Sequence, residues 1–206
     1  FLSIIFSFMD SRDFLDYVNI QRLTTIIIST VTIFPAYLLS KKSMSNSFAI
    51  ISAAAFVFAP RLMENSLLGI TEPLFLLLGI LSMNLFLSER KNFIILSFVV
   101  AGLFSIVRYE GLLILIPFTI MYFVRFQKKK STIIRYGLAM ALFLLIILPM
   151  VAIRIETTGS DGLTSHIVHG PIYYAKMMDE AGGNILFDFI SKGSSNLIKY
   201  LVIISI

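Results

Sequence analysis

Residues 133–153 form a run of 21 residues with a single charge, Arg135, near its start. At about 1.5 Å per residue such a helix reaches across the roughly 30 Å of bilayer hydrocarbon. Residues 23–40, 47–59, 74–87, 93–107 and 112–124 repeat the pattern, and residues 194–206 lead into one more apolar run. Continuous rather than alternating apolar runs argue for helices over a β-barrel. Hydrophobic residues make up 57% of the chain and charged ones 14%, with a mean hydropathy of +0.90. A water-soluble domain of 206 residues has no interior large enough for that apolar surface. The expected fold is all-α: a polytopic transmembrane bundle, one domain over residues 1–206, with about six spans plus the start of a further one.

Residues 1–22 open on an apolar patch, FLSIIFSFM, that is too short to cross the bilayer. Phe14, Leu15, Val18 and Leu23 recur at helical spacing among Asp13, Asp16 and Gln21. That pattern predicts an amphipathic helix lying at the membrane interface. The chain opens on Phe1 without a signal-peptide pattern and ends at Ile206 inside an apolar run, and so reads as a fragment missing both ends. Cysteine is absent, which excludes disulfides and thiolate metal sites. The net charge of +5 sits at the ends of apolar runs, as topology signals do, so no nucleic-acid partner is expected.

Basic residues set the orientation. The connections at Lys41-Lys42, residues 89–91 and residues 125–135 hold 9 of the 17 Lys and Arg but only Glu89 of the 12 acids. Short basic loops face the cytoplasm. Residues 60–73, residues 108–111 and the polar loop 154–193 then share the outer face of a multi-pass cell-membrane protein. Four of the runs hold only about 13–15 residues, roughly 20–22 Å, and fall short of the hydrocarbon thickness. Continuing each helix through its charged outer end makes up the deficit. Arg61, Glu64, Glu72, Arg108 and Glu110 would then line a polar cavity in the outer half of the bundle, where intramembrane charges are tolerated.

Glu72 stands out among them. It precedes Pro73 in the first turn of a helix, with Thr71 as a potential cap. As a cavity carboxylate it suits a divalent metal, a sugar hydroxyl or a nucleophile; as an ordinary helix start it needs no ligand. Arg61 and Arg108 suit an anionic headgroup, or pair internally with Glu64 and Glu110. His166 and His169 lack a third ligand nearby and read first as solvated loop residues. Tyr173-Tyr174 reads as an interfacial pair or a sugar-stacking surface. No glycine-rich phosphate loop occurs, so no nucleotide cofactor is expected.

Several stretches together carry a resemblance: Arg22-Leu23 opening a span that ends in AYLLSKK, then SAAAFVFAP, TEPLF and VRYEGLLILIP. Over residues 10–155 the chain resembles the GT-C membrane glycosyltransferases, in the protein-mannosyltransferase-like and aminoarabinose-transferase-like branch. The resemblance implies an inverting enzyme that moves a sugar from a polyprenyl-phosphate carrier to a protein, lipid or glycan acceptor on the outer face. It puts the general-base aspartate upstream of Phe1, so these residues alone are expected to be inactive. By the same resemblance Glu72 is a supporting cavity acid, and Arg108 and Glu110 match an Arg-x-Glu-Gly turn. The loop 154–193, with His166, His169 and Tyr173, would face the donor, and membrane lipids surround the bundle. The alternative reading is a transporter or flippase with an outward-facing polar cavity.

Overall fold

In a computed structural model the described residues are 13–126 and 130–159, with Phe6. The chain falls into two compact units, Phe1–Met150 and Val151–Ile206. Among the described residues every regular element is helical. In chain order these are α1 (Phe14–Lys41), α2 (Asn46–Val57), α3 (Pro60–Leu67), α4 (Glu72–Phe86), α5 (Lys91–Val107), a 3-10 turn (Tyr109–Ile114), α6 (Leu115–Phe126) and α7 (Lys130–Thr158).

Three stretches are long and apolar enough to cross a membrane: α1, the 3-10 turn with α6, and α7. A fourth arises if α2 and α3, bent by 48°, count as one broken span. α4 and α5 have 15 and 17 residues, about 22 and 25 Å, and are shorter than a hydrocarbon core of about 30 Å. Of the about six spans expected, three are thus long enough to cross, one is a bent pair, and α4 and α5 stay as short as their apolar runs.

Local chemistry accounts for the boundaries. Asp13 caps α1 by accepting from the Leu15 amide at 2.9 Å. Neither glycine nor proline lies between Phe14 and Phe34, so no break separates an interfacial helix from the span expected to begin at Leu23; both are one helix. Pro60 lacks an amide hydrogen and holds Ala59 extended, which ends α2 and starts α3 where a connection was expected. α7 continues past Arg154 to Thr158, into what read as polar loop, because nothing breaks it before Gly159. Gly159, at φ 71°, closes that helix with its amide on the Ile155 carbonyl.

Small residues set the helix packing in the first unit. α2 lies along α1 with Ala49 and Ala53 buried, and Ser40 meets Ser52 across the pair at 3.0 Å. A Cβ on Gly102 of α5 would stand 3.2 Å from Ile146 and 3.3 Å from the Phe143 carbonyl of α7, so glycine permits that close approach. Phe98 of α5 is fully buried and meets Phe86 of α4, Phe118 and Tyr122 of α6 and Tyr136 of α7.

Two ends of the bundle emerge from the polar contacts. At one, Lys42 donates to the Asn84 carbonyl and Arg125 to the Phe86 carbonyl at 3.3 Å, so both cations cap the C-terminus of α4. At the other, Gln21 donates to the Gly69 carbonyl at 2.5 Å and Thr25 to the Ser66 carbonyl at 2.7 Å. Gly69 has φ 73°, a conformation that favours glycine. Of the connections grouped by charge in the sequence, Lys42 and Arg125 thus meet at one end and residues 60–73 meet Arg108 at the other, while the loop 154–193 lies almost wholly outside the described residues.

Asn84 ties α4 to α1: its Nδ2 donates to the Pro35 carbonyl at 2.7 Å and to the Ile80 carbonyl at 3.2 Å. Its Oδ1 is buried and accepts no hydrogen bond. Both carbonyls lie inside helices, where backbone amides also reach them. Asn84→Leu removes the orphaned acceptor and leaves neither carbonyl bare. We expect it to cost under about 1 kcal/mol, measured as loss of helicity on SDS titration in micelles.

Candidate functional site

The chain passes from α5 to the 3-10 turn through one extended residue, Arg108, at φ −149° and ψ 136°. α5 therefore ends before Arg108 rather than continuing through it. The turn returns tightly: a Cβ on Gly111 would sit 2.8 Å from the Ser105 Cα and 2.9 Å from the Phe104 carbonyl, so only glycine fits. This places Glu110 beside Arg108.

Three charges meet there. Arg108 Nη1 reaches Glu72 Oε1 at 2.7 Å, and Nη2 reaches Glu110 Oε1 at 3.1 Å. A third, longer bond runs from Nε to Glu110 Oε2 at 3.4 Å. The two carboxylates come from the N-terminus of α4 and the start of the 3-10 turn, and one guanidinium fork bridges them. About a third of each side chain is exposed, with values of 36%, 30% and 38% for Arg108, Glu72 and Glu110. The hydrogen bond that Arg108 donates to Glu110 raises the Arg108 pKa above its ordinary value, against partial desolvation and with help from the Glu110 and Glu72 charges.

The triad rests on an aromatic shelf. The Arg108 guanidinium lies 5.5 Å from the centre of the Phe75 ring, which stacks on Phe104 at 4.1 Å. Phe104 in turn lies over Gly79, where a Cβ would stand 2.9 Å from its ring.

Glu72 also lines a cleft of about 190 Å3 between α1, the end of α2, α3 and the start of α4. Its polar wall is Ser29, Thr30, Thr32, Asn65 and Ser66, and Phe56 and Phe58 supply aromatic surface. Arg108 engages Oε1 of Glu72, which leaves Oε2 available to a ligand hydroxyl. Most of the cleft is apolar, with Ile26, Ile33, Val57, Leu62, Met63 and Leu76 in its lining, and to this it adds one carboxylate, hydroxyls, an amide and aromatic faces.

The sequence candidates divide accordingly. Glu72, Arg108 and Glu110 come together. Arg61 and Glu64 are exposed on α3 and line no part of the cleft. They do not pair with one another, whereas Arg108 does pair with Glu110. His166, His169 and Tyr173 lie outside the described residues. Thr71 stands at the cap position of α4 without a capping bond from its side chain. Among the described residues no three His, Asp or Glu side chains cluster as a metal site would require.

Sequence reasoning missed the hydroxyl wall. Its signal was present: Ser29 and Thr32 of the wall continue at helical spacing a polar stripe on α1 that starts at Thr25, whose hydroxyl bonds the Ser66 carbonyl. No family model, curated protein or solved structure matches this chain.

Proposed function

We propose that this chain is part of a membrane glycosyltransferase that takes a sugar from a polyprenyl-phosphate carrier and passes it to a protein, lipid or glycan acceptor, with inversion. One observation carries the reading. A carboxylate held by an arginine lines a largely apolar cleft that also carries hydroxyls, an amide and two phenylalanine rings, a mixture that suits a sugar on a lipid carrier. Glu72 orients a sugar or acceptor hydroxyl, and Arg108 and Glu110 hold it in position. Arg108 already bridges two carboxylates, so the developing phosphate charge falls to other cations. The reading puts the cleft on the outer face.

Binding tests this without requiring turnover. Native mass spectrometry of the reconstituted chain is expected to retain a short-chain polyprenyl-phosphate hexose in preference to the sugar-free polyprenyl phosphate. Glu72→Gln forfeits a charged hydrogen bond, so retention of the hexose form falls about tenfold or more. Equal retention of the two ligands, or no effect of the substitution, overturns the reading. The bent pair α2 and α3 beside the cleft favours a second reading, a transporter or flippase, since broken helices border transport sites. Movement of a labelled ligand across vesicles without any sugar transfer would support it.

A further inference from the structure

A larger concavity adjoins the cleft. It is an open groove of about 970 Å3 between α1, α2 and α4, lined by Val31, Phe34, Leu38, Ile50, Ala54 and Leu81 among other apolar groups. Thr30, Tyr37 and Asn84 are its polar exceptions. That volume is at the upper end of the roughly 300–1,000 Å3 of small-molecule sites, but the wall offers too few polar groups to orient a soluble ligand. It suits hydrocarbon.

Cations gather at one end of this groove. The Lys41 ammonium lies 5.9 Å from the centre of the Tyr37 ring, and Lys42 donates to the carbonyl of Asn84; Tyr37 and Asn84 both line the groove. Arg125 stands close by, on the Phe86 carbonyl. The C-terminus of α4 supplies about half a negative charge against the full charges of Lys42 and Arg125. Glu89, the acid of the following turn, forms no ion pair with them among the described residues. This end keeps an excess of positive charge beside an apolar trough.

We propose that the groove holds an anionic glycerophospholipid, its hydrocarbon in the trough and its phosphate against Lys41 and Lys42. Partial desolvation, and then the Arg125 charge, lower the Lys42 pKa, and a bound phosphate relieves that repulsion. Basic residues at a membrane surface each favour an anionic lipid by about fivefold, so the two lysines together give a preference on the order of twentyfold. The inference needs the chain to sit in a membrane but does not rest on sugar transfer: the groove adjoins the cleft at Thr30, Ile33 and Val57, while Glu72 lines only the cleft and Tyr37 and Asn84 only the groove.

Native mass spectrometry of the chain from vesicles of mixed phosphatidylglycerol and phosphatidylcholine tests it. The wild type is expected to retain the anionic lipid with that preference. Lys41→Gln/Lys42→Gln should lose the preference while Lys41→Arg/Lys42→Arg keeps it. Ala54→Phe narrows the trough and leaves both lysines in place, so it should reduce retention of the lipid several-fold. Equal retention of both lipids by the wild type, a preference that survives in the glutamine pair, or unchanged retention in Ala54→Phe would each overturn the proposal. Should the glutamine pair fail to fold, the wild-type preference and Ala54→Phe still decide it.

Discussion

Phe98→Ala is expected to be the most damaging single truncation in the first unit, costing about 3–4 kcal/mol. Phe98 is fully buried and makes edge contacts with Phe118, Tyr122 and Tyr136, from 5.8 to 6.4 Å between ring centres. Phe86 and Phe118 stack at 4.1 Å beside it. In a membrane the apolar surroundings give little drive for helices to associate, so shape and van der Waals contact do most of that work. A cavity where four helices meet loses those contacts on every side. SDS titration of helicity should show the midpoint fall steeply. Phe98→Leu, which keeps much of the volume, should recover a large part of the loss. An alanine variant as stable as Phe123→Ala, whose residue is only half-buried, would show that the ring cluster is not the hinge of the packing.

Helix class and the grouping of the described connections were legible in the sequence because both depend on local patterns. Apolar runs of helical length and short basic loops are read directly from neighbouring residues. Span count was not, because it depends on where helices stop, and that is decided by single residues. Pro60 starts a further helix where a connection was expected, Arg108 in extended backbone ends α5, and the lack of any breaker from Phe14 to Phe34 merges two expected helices into one. In the site, the Arg108–Glu110 pair lies two positions apart and could be anticipated. The Arg108–Glu72 bond joins residues 36 apart, and only the packing of α4 against α5 brings them together. The lipid-end contact of Lys42 with Asn84 is non-local in the same way, at 42 residues. Pairings that depend on tertiary packing leave no trace in periodicity.

Arg108→Leu is expected to cost about 1–3 kcal/mol, between the range for buried pairs and the small value for surface ones. Those bounds follow from exposure, since about a third of each triad side chain is open to solvent. Leucine leaves the Glu72 and Glu110 carboxylates facing each other across an apolar side chain, without the charge that reconciled them. Arg108→Lys should lose less, because the charge stays while the two-pronged geometry that serves both carboxylates does not. Adding Glu72→Gln and Glu110→Gln to Arg108→Leu removes the repulsion and should restore most of the lost stability. A double-mutant cycle on SDS unfolding measures that coupling directly. If the added glutamines restore nothing, the cost of Arg108→Leu comes from the Phe75 shelf and not from the charges. Function separates from stability in the same set: Glu72→Gln alone leaves Arg108 paired with Glu110 and should keep the fold while weakening hexose-carrier binding. A triad that served the fold alone would let Glu72→Gln bind the carrier as the wild type does.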